Sequence, residues 1–100
     1  MTGLAETEEV VVTESNPDTA NADTSVVARL VVYNDDHNTF AWVIDCFIQV
    51  LNYSASQSEQ LALLIHLKGR ATVKTAPLNV LKPLKDSLTE KGLSAVIEQD

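Results

Sequence analysis

The hydrophobic pattern of this chain changes period across Asn34-Asp35-Asp36, and that switch limits what it can fold into. Before it, residues 27–33 form a β-branched, apolar run that reads as a strand. Both faces of the run are apolar apart from Arg29, which points to a central position in a sheet. After it, residues 39–52 read as a helix. Phe40, Val43, Ile44, Phe47, Ile48 and Leu51 fall at helical spacing on one wide stripe. Asn38 or Thr39 can supply the N-cap oxygen.

The remaining elements follow from the same logic. A turn at Asn52-Tyr53-Ser54-Ala55 leads to Ser56-Gln57-Ser58-Glu59, which matches a capping box with Ser56 as cap and Glu59 three residues on. The helix it opens runs to Lys68, and Gly69 suits the position just past a helix end. Residues 61–67 are apolar almost all round, so this helix is expected between other elements rather than on the surface. Residues 71–75 alternate and read as a second strand, punctuated by Pro77. A third helix has Leu81, Leu84 and Leu88 on one face. Pro83 breaks the hydrogen-bond ladder beyond the first turn, so the regular helix is expected to begin near Asn79 or Val80, or to kink. Gly92 ends it, and residues 93–98 form a last short strand. The order is strand, helix, helix, strand, helix, strand. It predicts an α+β layer, a three-stranded antiparallel sheet packed on three helices (β-α-α-β-α-β).

Charge divides the chain in two. Residues 1–25 contain six of the 14 acids and none of the seven bases, whereas residues 26–100 are nearly balanced. The acidic segment has too few apolar residues to offset its ordering entropy, so 1–25 is expected to be a disordered N-terminal extension and 26–100 the folded domain. A nearly neutral domain with an acidic tail argues against a nucleic-acid partner. No stretch approaches the roughly 20 apolar residues that span a membrane. The single Cys46 can form no intramolecular disulfide, which favours a reducing compartment. The N-terminus has no signal-peptide pattern and is too acidic for a transit peptide, so a cytoplasmic location is expected.

Asn34, Asp35 and Asp36 form a compact set of acceptors that suits a turn, a metal or an organic cation. A metal site, and with it a metal-dependent hydrolase using Asp35, Asp36 and His66, would need these residues and His37 to converge, and no ligand spacing forces that. Cys46 lies beside the core stripe with no activating neighbour, and Gly3, Gly69 and Gly92 make no phosphate loop. His66, inside the most apolar segment, is either a core histidine or an acceptor beside the acidic cluster. Phe40, Val43, Ala62 and Ile65 are either core or the wall of a pocket open at the strand end. If the cluster is only a turn, the domain is a plain interaction module.

Three segments carry a family resemblance: Val31-Val32-Tyr33-Asn34-Asp35-Asp36, residues 40–45, and Leu64-Ile65-His66-Leu67-Lys68-Gly69-Arg70-Ala71. Together they resemble the ClpS family, adaptors of the ATP-dependent Clp protease, over roughly residues 28–98. The resemblance implies a fold like the C-terminal domain of the ribosomal stalk protein. It implies a non-enzymatic binder of N-degrons, substrates whose first residue is Leu, Phe, Tyr or Trp, delivered to a ClpA- or ClpC-type unfoldase. By position it implies that Asn34, Asp35, Asp36 and His66 hold the peptide α-amino group. Phe40, Val43, Ala62, Ile65 and Leu93 would line the pocket for the first side chain, and Asn38 would contact the peptide backbone. It implies no cofactor. Phe40 and Ala62 stand where the family commonly has Met, narrowing one wall and opening the other. Asn38-Thr39 replaces a common Thr-Pro. Asn79 and Leu84 stand where members often carry an acid and a lysine that face the unfoldase. The N-terminal extension in such proteins is engaged by the unfoldase during hand-off, and residues 1–25 are similar in character.

Overall fold

The computed structural model describes residues 26–99; the extension expected to be disordered, residues 1–25, lies outside the described residues. The order is β1 (Val27–Tyr33), α1 (Phe40–Leu51), α2 (Ala55–Lys68), β2 (Arg70–Pro77), α3 (Leu78–Glu90) and β3 (Ser94–Glu98). The strands form one antiparallel sheet in the order β2-β1-β3, so the strand that reads as apolar on both faces is the central one.

Alternation along β1 sends Ala28, Leu30 and Val32 to the helix side, where they join Phe47, Leu51, Ile65, Leu81 and Leu88 in the core. The other face carries Arg29, Val31 and Tyr33. There Arg70 and Glu98 form an ion pair at 3.1 Å, and Tyr33 Oη donates to Glu98 at 3.1 Å. The β1–β2 register slips between Leu30 and Val31, whose partners are Lys74 and Thr72. The extra residue, Val73, places Lys74 on the helix side as well, where its Nζ lies 6.0 Å from the Tyr53 ring centre. Tyr53 Oη donates to the Val73 carbonyl at 2.6 Å, so the bulge is held from the α1–α2 turn.

The helix ends depart from the sequence expectation in physically clear ways. α2 is capped by Ser54 rather than Ser56, with the Ser54 hydroxyl accepting from the Gln57 amide at 3.0 Å. Asn52, left-handed at φ 60°, ends α1 and turns the chain early enough to bring Ser54 into the cap position. α3 begins at Leu78, ahead of the expected start, because the Leu78 amide donates to the Val26 carbonyl at 2.8 Å and the sheet sets the first turn. It continues through Pro83. Pro83 and Asn79 are exposed, so water can serve the Asn79 carbonyl that the proline leaves without a donor.

The larger correction concerns α2. It does not lie between other elements. Its buried residues are Ser58, Ala62 and Ile65, while Leu63, Leu64 and Leu67 are exposed. The sheet and α1 cover one side of this helix only, and the apolar residues on its far side meet no partner within the described residues.

Candidate functional site

Three chain turns meet at the end of β1, and Gly69 makes the first junction. With φ 92° it ends α2, donates its amide to the Ile65 carbonyl at 2.8 Å and accepts the Asn34 amide at 2.9 Å. The next residue, Arg70, pairs with Tyr33 in the sheet. His66, less than a turn before Gly69, is thereby held beside the residues that follow β1. A Cβ on Gly69 would meet nothing within 4 Å, so the glycine is required for its left-handed backbone and not for space.

Asp35 organises the second junction. Its Oδ1 accepts from the His37 amide at 2.9 Å and from Asn38 Nδ2 at 2.9 Å. Its Oδ2 accepts from Ser94 Oγ at 2.9 Å and from Asn38 Nδ2 at 3.1 Å. Asn38 Nδ2 also donates to the Gly92 carbonyl at 2.9 Å, which fastens the loop to the α3–β3 turn. Partial burial acts to raise the pKa of Asp35, but hydrogen bonds from Ser94, His37 and Asn38 outweigh it and hold the carboxyl below its ordinary value. Asp35 is thus an ionised group whose acceptor positions are largely filled by the protein itself. The Asp36 carboxylate, the Asn34 side-chain amide and the His66 ring have no hydrogen-bond partner among the described residues.

A cavity of about 280 Å³ opens between this loop and α2. Asn34, Asp35, Asp36, Asn38 and His66 line its polar side, and Phe40, Val43, Ala62 and Ile65 its apolar side. Leu93, expected in the same wall, lines a small recess that is continuous with the cavity through the shared residues Asn34, Asp35, Asn38, Val43 and Ile65. Its amide donates to the Leu88 carbonyl at 3.1 Å, which turns the residue inward at the end of α3. Ala62 is buried, while Phe40 is 42% exposed and stands at the mouth.

A metal reading requires His37 to join His66, Asp35 and Asp36. His37 does not line the cavity, and among the described residues no group of three His, Cys, Asp or Glu side chains is placed to hold an ion. Cys46 is fully buried in the core, and burial pushes its thiol up, opposed by Lys91 and assisted by Asp45, so it is no thiolate nucleophile. No helix among the described residues is long and apolar enough to cross a membrane. Half of the cavity wall is anionic and rich in free acceptors, and the other half is apolar. That combination suits a cation attached to a hydrophobic group.

Sequence reasoning missed Ser94 and the Gly92 carbonyl, which anchor the acidic loop from 54 to 59 residues away. Nothing local marks them, because their role exists only once β3 has paired with β1.

No curated protein matches the sequence. Among solved structures, that of Agrobacterium tumefaciens ClpS2 bound to L-phenylalaninamide is similar, with a TM-score of 0.69 over 75% of this chain and 98% of that one. The identity is 17%, so this is a likeness of fold. The model of the family described as ATP-dependent Clp protease adaptor protein ClpS matches residues 23–96, about three quarters of the sequence. By that match, this chain belongs to the ClpS family.

Proposed function

We propose that this adaptor binds the free N-terminus of peptides whose first residue is bulky and hydrophobic, of the Leu, Phe, Tyr or Trp kind, and delivers such substrates to a ClpA- or ClpC-type unfoldase. The observation that carries the reading is the divided cavity, with free acceptors on Asn34, Asp36 and His66 facing the apolar wall from Phe40 to Ile65. A peptide N-terminus presents an ammonium next to its first side chain and fits both halves at once. L-phenylalaninamide, the ligand of the similar ClpS2 structure, has a free amine beside a benzyl group and so the same chemistry.

The roles then divide. Asn34 and Asp36 accept from the ammonium directly, and His66 accepts through a ring nitrogen. Asp35 contributes its charge and holds the loop. Phe40, Val43, Ala62 and Ile65 enclose the first side chain, and Asn38 supplies the loop anchor in addition to any contact with the peptide backbone. In this reading the chain acts by binding and delivery, as the adaptors of its family do.

Charge-assisted hydrogen bonds contribute roughly 1.5–3 kcal/mol each, and burying a Leu or Phe side chain about as much. Two such bonds are lost on N-acetylation, so a Phe-starting peptide should bind at least about a hundredfold more tightly than its acetylated form. Fluorescence anisotropy measures the ratio, and equal affinities would sink the proposal. His66→Ala should weaken binding about tenfold.

A further inference from the structure

Among the described residues nothing covers one apolar face of α2. Leu63, Leu64 and Leu67 are 47%, 42% and 68% exposed. Three such leucines together on a domain this small mark a contact surface more often than chance placement does. Their position identifies the contact. Ala62 and His66 lie one turn apart on α2 and both line the cavity. Leu63 and Leu67 form the next row round the helix, about 100° further on and away from the buried stripe of Ser58 and Ile65. The leucine row therefore continues the Ala62–His66 wall outward from the cavity mouth onto the surface. The loop side of the mouth, by contrast, is polar, with Asp36 and Asn38.

We infer that Leu63 and Leu67 form a second, apolar subsite for the third residue of a bound peptide. This rests on the peptide-N-terminus reading above, in which the first residue fills the cavity. An extended peptide alternates its side chains, so when the first points into the protein, the second points away and the third returns. The third residue arrives about 7 Å beyond the first. That span is comparable with the roughly 5–6 Å between neighbouring side chains on a helix surface, so it reaches from the Ala62–His66 row to the leucines. The subsite prefers an aliphatic or aromatic third residue and is indifferent to the second. Substrates are thus selected by two positions in a fixed register.

The test uses the full chain and three labelled peptides with a common tail, beginning Phe-Ser-Ser, Phe-Ser-Leu and Phe-Leu-Ser. Half-burial of one leucine predicts that Phe-Ser-Leu binds about three- to tenfold more tightly than Phe-Ser-Ser. Phe-Leu-Ser should lie within about twofold of Phe-Ser-Ser, because its leucine points to solvent. In the Leu63→Ser/Leu67→Ser variant the ratio of Phe-Ser-Leu to Phe-Ser-Ser should fall to unity. Val96→Ser, an exposed change on the open face of the sheet, should preserve it. The subsite is overturned by equal affinities for the first two peptides. It is equally overturned by a second-position leucine that gains as much as the third, or by a gain that survives the double substitution. Binding of all three peptides without a third-position preference removes the subsite and leaves the N-terminus reading standing. Failure of all three to bind removes both.

Discussion

Replacing Asn38 by Ala tests the loop anchor on which the candidate site depends. Nδ2 is the donor in three contacts: to both oxygens of Asp35, at 2.9 and 3.1 Å, and to the Gly92 carbonyl at 2.9 Å. A hydrogen bond to a charged group contributes roughly 1.5–3 kcal/mol and a neutral one roughly 0.5–1.5 kcal/mol. Asn38 and Asp35 are only partly buried, so water takes over part of both, and a net loss of about 1–2 kcal/mol is expected. For a domain of this size that lowers the melting temperature by very roughly 4–16 °C. Urea unfolding at neutral pH gives the loss directly. The pH dependence identifies its source. The pKa of Asp35 is lowered in the fold, so its contribution is fully present above the ordinary value of 3.8 and disappears as the pH falls through the lower folded value. The difference between wild type and Asn38→Ala should therefore shrink below pH 3.8, where a neutral carboxyl accepts more weakly. A loss under about 0.3 kcal/mol, or one that stays constant into acid, would refute the assignment of Asn38 as the anchor of an ionised Asp35.

Other consequences are simpler to measure. Gly69→Ala forces a Cβ into φ 92° without a steric clash, and should cost about 1–2 kcal/mol by urea unfolding; an unchanged midpoint would contradict the junction described. Ser58 is fully buried on α2 and its hydroxyl has no partner among the described residues, so Ser58→Ala should be neutral or stabilising by about 1 kcal/mol, and a destabilisation of more than about 1 kcal/mol would contradict that unpartnered state. Glu98→Gln weakens the ion pairs to Arg70 and Arg29 on the open sheet face, where side chains are 27–49% exposed, and should cost no more than about 1 kcal/mol in a salt-dependent manner. Cys46 should resist a thiol reagent in the native protein and react at the rate of unfolding, because it is 0% exposed and its thiol is pushed up by burial; fast labelling in the native state would place it outside the core.

Much of this fold was legible because its elements are locally consistent. The two-faced apolar run of β1, the stripe on α1 and Gly69 after α2 each specify their structure over a few residues, and the β-α-α-β-α-β order follows. The failures have a common cause. The capping box at Ser56 is a sound local pattern, but the tight left-handed turn at Asn52 places Ser54 first. The all-round apolar character of residues 61–67 points to burial on both sides, yet among the described residues only α1 and the sheet pack against α2, and they cover one side of it. Pro83 read as a helix limit because its exposure could not be known. At the site, the acceptor residues and the apolar wall were readable as residue types, whereas the anchoring by Ser94 and Gly92 was not. Long-range contacts of that kind leave no periodicity.

The adjacent carboxylates of Asp35 and Asp36 look equivalent in sequence and have opposite physical positions. Asp35 is saturated by donors from the loop, from Asn38 and from β3, so it can offer an incoming ammonium field but few vacant acceptor sites. Asp36 has no donor among the described residues and is exposed. The loop is therefore ordered by internal bonds before any ligand arrives, and binding need not supply that ordering, which favours affinity from few contacts. It follows that substitutions divide by mechanism. Changes at Ser94 or Gly69 should lower stability and impair binding only through the disordered loop. Changes at the exposed Asp36 or His66 should alter binding with little effect on the unfolding midpoint. If Asp36→Asn lowered stability as much as Asp35→Asn, the division would be wrong, and the acidic loop would be a turn with no acceptor left over for a ligand.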